Sequence, residues 1–396
     1  MAYTPKSKFD WESRKPWMLV PFPEEEYRQR IERARKAMAE HSLDALLIYA
    51  TPVDDSALRW LSNFTPFSGH AMIVLLPEGE PILLGDRVMH GEPMHTLYWL
   101  TWFRRAEHVG ADSSIPREVA RILAGESSVQ KVGIGGFAEL PGSWTAVLSE
   151  GLPGRTFEDA DQLLLQLRVI KTPAEIEKMR QAALITGQAM RVAMDACRPG
   201  ASEYQVTGLA HGTMFSLGAE NLAFDTAVVA GPRAGLKHGV PTGRLMQDGD
   251  MVFLDMGAKF DGYNADVSRT IVVGEPDDYQ RRLLQTAEAM FAVWEAEAGP
   301  GVAVKDIQAK CEKVAVGAGF EEEYMPLGWG HGLGTSLFEL PMLSYQGDTV
   351  LKEGMTFALE PMLVKLGVGT AVVEETVLIT SGGMESLSGL PTKIYS

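Results

Sequence analysis

Five residues in the last third of the chain have the side chains of a metal site, four carboxylates and one imidazole. They are Asp255, Asp266, His331, Glu360 and Glu374. Because each carboxylate has two oxygens, one such group can bridge two ions. The five side chains are therefore enough to hold two divalent cations if some carboxylates bridge. Paired metals activate water for attack on a substrate, so we predict a metal-dependent hydrolase.

The two aspartates belong to one predicted hairpin between Val252 and Val273. Asp261-Gly262 has the composition of a tight turn between two apolar strands. A turn centred there places Asp255 opposite Ser268, and Asp266 shares the face of Ser268 because side chains alternate along a strand. Both aspartates are therefore expected on one face. A charge inside the run MVFLDM is costly to bury without a partner, which favours a ligand role for Asp255.

The other three candidates also lie in segments of low polarity. His331 stands in the glycine-rich segment GWGHGLG, where glycines let the backbone approach a ligand and adopt positive φ. Glu360 follows Phe-Ala-Leu and Glu374 follows Ala-Val-Val, so each is a carboxylate in an apolar strand. Strand alternation predicts that Glu375 points to the opposite face from Glu374.

The chemistry of the ligands narrows the choice of ion without fixing it. Carboxylates with an imidazole and no cysteine favour manganese, cobalt, iron or zinc.

Two further residues each have two interpretations. His238, in a loop before the strand of Asp255, is either a surface histidine or a proton donor or oxyanion stabiliser facing the metals. Trp329 is either an aromatic wall of the substrate site or a packing residue.

Composition excludes several classes of protein. The chain has 396 residues, 45% of them apolar and 22% charged, as expected for a globular protein of about two domains. A formal net charge of −16 argues against a nucleic-acid surface, and the run Glu321–Glu323 is expected to be a solvated face. The two cysteines, the lack of a secretory signal and the lack of a long apolar run predict a cytoplasmic protein without disulfides.

Hydrophobic periodicity predicts two domains, 1–165 and 166–396. The first begins with a helix from Glu24, and helices then alternate with strands as in a small α/β domain. The boundary lies near residues 160–172, where Thr172, Pro173 and Glu175 form the capping sequence of a long helix. Predicted elements are helices at 115–123, 204–217, 278–298 and 304–317, and strands at 45–49, 71–76, 81–84, 131–134, 225–231 and 251–257.

The ordered motifs LDMG, ADVSRT, GHGLG, LEP and EET, with the join LRVIKTPAEIEKMR, resemble the creatinase/prolidase/methionine aminopeptidase superfamily of M24 metallopeptidases. The resemblance covers essentially the whole chain. It implies an α/β creatinase-like N-terminal domain and an α+β pita-bread catalytic domain. It also implies two divalent ions, manganese first, with Asp266 and Glu374 bridging and a hydroxide between the ions as nucleophile. Glu360 would relay the proton, His238 would be the catalytic loop histidine, and the chain would form a homodimer.

Three positions depart from the proline-specific peptidases of that superfamily. Phe338 and Leu327 stand where those enzymes have histidines, and Val372 stands where an arginine is usual. We expect an Xaa-Pro aminopeptidase or dipeptidase acting on small peptides. The alternative is a hydrolase or lyase for small molecules, of the creatinase, ectoine hydrolase or dimethylsulfoniopropionate lyase type. Binding proteins without activity typically lose metal ligands, and this chain keeps all five.

Overall fold

The computed structural model describes residue 15 and residues 18–86, 100–110, 113–236, 239–326, 329–343 and 347–395. The chain divides into two compact units, Met1–Leu167 and Arg168–Ser396. Among the described residues, no helix combines the length and the apolar character needed to cross a membrane.

The first unit is a mixed sheet with helices. Its strands are paired in the order β4-β3-β2-β1-β5-β6, and β1 pairs antiparallel with β2 and parallel with β5. The helices are α1 Glu24–Glu40, α2 Ser56–Ser62, α3 Ile115–Ala124, α4 Gly142–Gly151 and α5 Asp161–Leu167. The strands are β1 Ala45–Ala50, β2 Ala71–Leu75, β3 Ile82–Gly85, β4 Arg105–His108, β5 Lys131–Gly135 and β6 Thr156–Asp159.

The apolar pattern located the interior of this unit correctly. Helix α1 buries Tyr27, Ile31, Ala34 and Met38, the stripe expected at helical spacing. Every residue of β1, β2 and β3 is buried, which confirms the predicted sheet interior. The edge strands β4 and β6 are more exposed, as are many edge strands.

In its described residues, the second unit contains four paired groups of strands and two helix pairs. Its helices are α6 Pro173–Ala196, α7 Glu203–Ser216, α8 Asp278–Glu297 and α9 Val304–Gly317. Its strands are β7 Asn221–Leu222, β8 Ala227–Ala230, β9 Met251–Met256, β10 Ala258–Phe260, β11 Tyr263–Asn264, β12 Val267–Val272, β13 Gly330–Gly332, β14 Glu339–Met342, β15 Thr356–Leu359, β16 Met362–Lys365, β17 Gly369–Val372, β18 Glu375–Thr380 and β19 Gly383–Ser386. The pairing orders are β11-β10-β7, β12-β9-β8, β14-β13-β15-β18-β19 and β16-β17.

Each helix pair contributes to its own hydrophobic cluster. One cluster joins α6 and α7 to β8 and β9 through residues such as Met190, Met214 and Leu254. The other joins α8 and α9 to β9, β15 and β17 through residues such as Phe291, Cys311 and Phe357. The strands that carry the acidic candidates are therefore packed against apolar residues of the helices.

The predicted helix start at Thr172 is confirmed in detail. The Thr172 hydroxyl accepts a hydrogen bond from the Glu175 amide at 3.3 Å, and the Glu175 carboxylate accepts one from the Thr172 amide at 2.9 Å. Pro173 occupies the first turn. This reciprocal arrangement satisfies two amides that a helix leaves without internal partners, which fixes the start of α6.

The hairpin has the predicted register but is shared between two sheets. Asp261 and Gly262 have φ angles of 48° and 90°, as the tight turn requires, and Ser268 lies opposite Asp255. Residues nearer the turn pair as β10 and β11 with β7, whereas β9 and β12 belong to the sheet with β8. The change occurs at Gly257, where a β-carbon would collide with the Ala265 carbonyl oxygen.

The acidic run Glu321–Glu323 is exposed at Glu321 and Glu322, as expected, but the expectation was wrong for Glu323. Glu323 is buried, with 6% of its surface exposed, and it accepts hydrogen bonds from Lys365 at 2.7 Å and Tyr279 at 3.1 Å. The Lys365 ammonium group is the main reason that the pKa of Glu323 lies below its usual range. A run of like charges in the sequence therefore concealed one residue that has a structural partner.

Candidate metal centre

Three of the five predicted ligands have their carboxylate groups close together. Asp255 lies in β9, Asp266 immediately precedes β12, and Glu374 immediately precedes β18. One oxygen of each lies within 4.8 Å of the others, and all three side chains are buried. Three acidic groups at this separation repel one another, and burial removes the water that would reduce the repulsion.

Ser268 connects the strand pair to the segment of Glu374. Its hydroxyl donates to Glu374 Oε2, and its carbonyl oxygen accepts from the Glu374 amide at 3.1 Å. Thr376 makes a similar connection to Asp266, because its hydroxyl accepts from the Asp266 amide and donates to the Asp266 carbonyl, both at 2.9 Å. These bonds hold the backbones that carry Asp266 and Glu374 in a fixed relation.

His331 turns one ring nitrogen toward the carboxylates. Its Nε2 lies 3.6 Å from Asp266 Oδ2, and its Nδ1 lies 3.1 Å from the Gly332 carbonyl oxygen. A carbonyl only accepts hydrogen bonds, so Nδ1 must carry the proton in this contact. In the neutral ring, Nε2 then presents a lone pair toward the carboxylates, as metal-ligating histidines do.

The glycines around His331 include the expected positive φ, at Gly330, and they also allow neighbouring strands to approach closely. Gly330 has a φ of 135°, and a β-carbon there would collide with the Ala358 carbonyl oxygen of β15. A β-carbon on Gly332 would collide with the Leu340 carbonyl oxygen. Glycine is therefore required because neighbouring strands approach closely, which fixes the strand that carries His331.

Glu360 lies next to Glu374 in the strand register. Strands β15 and β18 pair Leu359 with Glu375, so continuing this register by one residue places Glu360 opposite Glu374. The Glu360 amide donates to the Trp329 carbonyl oxygen at 3.0 Å. Trp329 itself is only 1% exposed and belongs to the hydrophobic core, which identifies it as a packing residue.

All five predicted ligands line one cavity of about 830 Å³. That volume lies within the range of about 300–1,000 Å³ typical of small-molecule sites. The other lining residues are Tyr204, Thr207, His211, Phe224, Asp225, Thr226, Ala227, Gly239, Val240, Pro241, Gly330, Leu337, Phe338 and Met342.

His211 is a lining residue that the sequence did not reveal. Its Nε2 lies 2.9 Å from the Thr226 hydroxyl. Burial lowers the pKa of His211 below its usual value, although the negative charge of Asp225 acts in the opposite direction. A single histidine on a helix has no distinguishing spacing, so only the fold places it beside the carboxylates.

Of the three positions that depart from the superfamily pattern, Phe338 and Val372 lie within the described residues. The Phe338 ring lies beside His331, with 4.4 Å between the ring centroids and an angle of 52° between the planes. Val372 is buried in the hydrophobic core. Leu327 and the predicted catalytic residue His238 lie outside the described residues.

The donor set fits divalent cations. Carboxylates are ligands for hard cations, and the imidazole extends the set toward transition metals. Burying three carboxylates within 4.8 Å of one another is unfavourable unless positive charge offsets their repulsion. Divalent ions would supply that charge. The Nε2 lone pair of His331 has the orientation that a ligand needs, so these residues match the metals that the sequence motifs imply.

Comparison with known proteins gives consistent matches over both units. Residues 177–381 match the model of metallopeptidase family M24, and residues 30–170 match the creatinase/prolidase N-terminal domain. The Xaa-Pro dipeptidase of Pyrococcus furiosus is 32% identical over 369 residues, which cover 91% of this chain and 98% of the relative. The crystal structure of the prolidase from Pyrococcus horikoshii matches with a TM-score of 0.80 at 26% identity, covering 92% of this chain and 99% of the other. An Xaa-Pro dipeptidase structure from Bacillus anthracis matches with a TM-score of 0.81 at 28% identity, covering 93% and 99%.

Proposed function

We propose that this chain, which belongs to metallopeptidase family M24 and has its pita-bread fold, hydrolyses the peptide bond that precedes proline in dipeptides. The observation that carries the proposal is the group of buried carboxylates from Asp255, Asp266 and Glu374. It lies in a cavity whose volume suits a dipeptide rather than a folded protein. The Xaa-Pro dipeptidases among its relatives support the choice of substrate.

We propose that Asp255, Asp266, His331, Glu360 and Glu374 hold two divalent ions. When bound, such ions lower the pKa of a coordinated water and polarise the carbonyl group under attack. The chain's own contribution is to fix the ligands. Hydrogen bonds from Ser268 and Thr376 hold the segments of Glu374 and Asp266, and the Gly332 carbonyl keeps the proton of His331 on Nδ1.

Proton transfer is assigned to Glu360, and stabilisation of the oxyanion is assigned to His238. Glu360 lines the cavity beside Glu374, where a carboxylate can accept the proton of the attacking water and return it to the leaving amine. His238 is proposed to donate a hydrogen bond to the oxyanion, and its position lies outside the described residues. The resemblance of the flanking motifs supports both assignments.

Manganese as the ion, a homodimer as the assembly and a cytoplasmic location also belong to this proposal. The mixture of carboxylate ligands and one imidazole suits manganese, and also cobalt, iron and zinc. A chain of 396 residues with only two cysteines does not rely on a disulfide framework, which supports a reducing compartment.

A second candidate function is favoured by one observation. Phe338 presents an aromatic ring at the position where proline-specific relatives would place a histidine, and this ring lies against His331. Loss of a polar group at that position would suit a small-molecule hydrolase or lyase of the same fold. The metal ligands do not distinguish the two candidates, because bound divalent ions would polarise the substrate in a hydrolase and in a lyase.

An assay on short peptides separates the candidates. Purified protein, loaded with manganese or cobalt and checked for metal content, is given Gly-Pro, Ala-Pro and a longer peptide with proline in second position. Release of free proline from the dipeptides supports the proposed function. Full metal occupancy without cleavage of any of the three would contradict it and favour the small-molecule alternative.

A further inference from the structure

We infer that Phe338 is a specificity-determining residue, and that buried Glu339 positions it. The ring of Phe338 would contact the pyrrolidine ring of the substrate's proline, so the inference rests on the proposed function. Phe338 lines the cavity beside the metal ligands, and its ring centroid lies 4.4 Å from that of His331. A substrate group bound beside His331 therefore also lies close to the Phe338 ring.

Phe338 belongs to an apolar wall formed by Leu337, Phe338 and Met342. All three residues line the cavity, and Phe338 and Met342 are 55% and 49% exposed. Apolar surface left in water is unfavourable, and it is covered when an apolar group binds. A compact saturated ring without charge suits this wall better than a polar or charged side chain.

The remaining lining residues favour one orientation of a dipeptide. Tyr204, His211 and Asp225 bring a phenol, an imidazole and an exposed carboxylate to the same cavity. The negative charge of Asp225 attracts the ammonium group at the start of a peptide. A dipeptide with its amino end toward Asp225 and its scissile bond at the carboxylates would place its second residue against the apolar wall.

Glu339 holds the segment that carries Phe338. Its carboxylate accepts a hydrogen bond from Lys171 Nζ at 2.9 Å and lies 3.3 Å from Arg168 Nη1. Both cationic side chains are buried, at 2% and 5% exposure, and the Glu339 side chain is 1% exposed. Ion pairs shielded from water in this way are strong local constraints, because breaking one leaves a buried charge without its partner.

The same carboxylate also organises the loop before Phe338. The amide of Ser336 donates to Glu339 Oε1 at 3.1 Å, and the Thr335 hydroxyl lies 3.3 Å from the same oxygen. Arg168 Nη1 donates to that hydroxyl at 2.9 Å. We call Arg168, Lys171, Thr335 and Glu339 the Glu339 cluster. Phe338, which directly precedes Glu339, cannot shift without disturbing this cluster.

A second anchor fixes the other end of the loop. The side-chain amide of Asn264 donates to the carbonyl oxygens of Gly334 at 3.0 Å and Thr335 at 3.1 Å. Gly334 has no room for a side chain, because a β-carbon there would lie 2.5 Å from Glu339 Oε2. The loop is held at both ends, and its residues Leu337 and Phe338 line the cavity. No member of the Glu339 cluster is among the residues that line the cavity.

Binding of two uncleavable analogues tests the inference. Reduced-bond analogues of Ala-Pro and Ala-Gly are titrated by calorimetry into metal-loaded wild type, Phe338→Ala, Glu339→Gln and the double variant. We expect Phe338→Ala to weaken binding of the proline analogue about tenfold, the effect of leaving roughly 50 Å² of apolar surface uncovered. The dissociation constant of the glycine analogue should change less than about twofold. Phe215→Ala is the matched control, because Phe215 is a 48% exposed phenylalanine outside the cavity. It should change neither of the two dissociation constants.

The double variant separates positioning from general stability. If Glu339 acts through Phe338, Glu339→Gln reduces the preference for proline in the wild type and adds no further reduction when Phe338 is already alanine. Thr335→Val, which removes one hydroxyl and keeps both ion pairs, replaces Glu339→Gln if that variant does not fold. Two results would overturn the inference. One is an equal loss of affinity for both analogues in Phe338→Ala, and the other is additive loss of the preference for proline in the double variant. Wild type that releases no proline from Ala-Pro would instead contradict the proposed function.

Discussion

Arg269 and Glu375 form an ion pair in which both side chains are fully buried. Arg269 Nη1 also donates to the Glu374 carbonyl oxygen at 2.7 Å and to the Ser268 carbonyl oxygen at 2.9 Å. The Ser388 hydroxyl donates to the Glu375 carboxylate at 2.7 Å. Glu375 therefore has a structural partner of its own, whereas adjacent Glu374 lines the cavity, as strand alternation predicts.

Replacing Arg269 should destabilise the protein strongly. Arg269→Met leaves the Glu375 carboxylate buried without its cation, and we expect a loss of about 3–5 kcal/mol in the free energy of unfolding. Arg180→Met is the matched control, because Arg180 pairs with Glu385 while both side chains are partly exposed, at 32% and 41%. The free energy of unfolding of Arg180→Met should fall by less than about 1 kcal/mol. Urea unfolding of both variants measures the difference, and equal losses would contradict the structural role of Arg269.

Asp255→Asn should remove bound metal together with activity. The amide lacks the negative charge that the ions need, and one of the three close carboxylates is lost. Asp261→Asn is the control, because Asp261 lies in the same hairpin but contacts Lys178 at 2.8 Å. Asparagine also tolerates the positive φ of that turn. Metal analysis after dialysis against manganese or cobalt should show full occupancy in Asp261→Asn only. Normal occupancy in Asp255→Asn would exclude this residue as a ligand.

His238→Ala should separate metal binding from turnover. If His238 acts on the substrate oxyanion, its loss leaves metal content unchanged and lowers turnover of Ala-Pro by roughly 10²-fold or more. His41→Ala, at the end of α1 where His41 bonds to the Ala37 carbonyl, is the control and should turn over normally. Normal turnover in His238→Ala would contradict the proposed hydrogen bond from His238 to the oxyanion.

Local signals in the sequence were sufficient for much of the scaffold. Asp261-Gly262 fixed the register that places Ser268 opposite Asp255, because a two-residue turn leaves only one pairing. Thr172 and Glu175 fixed the start of α6 through a reciprocal pair of hydrogen bonds. Acidic residues inside apolar strands identified the carboxylates, because such charges need a partner. The metal binding of these residues stays a prediction.

Elements without an apolar pattern were not predicted. Strands β4 and β6 have the sequences RAEH and TFED, which look like loop, and they pair at the edges of a sheet formed by other strands. Helix α4 begins and ends with glycine, which obscures its period. In these segments the fold of the neighbours, rather than local propensity, determines the structure.

Pairings between distant charges could not be predicted either. Lys171 and Glu339 are separated by 168 positions, and each resembles a surface charge in its local sequence. Only the fold brings them together in the interior. The same holds for His211 and Thr226, whose contact depends on how α7 packs beside β8. The sequence could therefore propose the metal ligands but not the residues that position the substrate wall.

The Glu339 cluster should make stability dependent on acidic pH. Burial raises the pKa of the Glu339 carboxyl, but Lys171 and Arg168 lower it by more, so the pKa lies below its ordinary value of 4.5. The folded state then holds this proton less tightly than the unfolded state does. The stabilisation is present above about pH 4.5 and is lost as the pH falls through the lower pKa of the folded state. Glu339→Gln lacks this titration, so urea unfolding at several values between pH 7 and pH 3 should show the stability of wild type approaching that of the variant as the pH falls. A gap that stays constant or widens toward low pH would show that Glu339 is not held ionised by its two cationic partners.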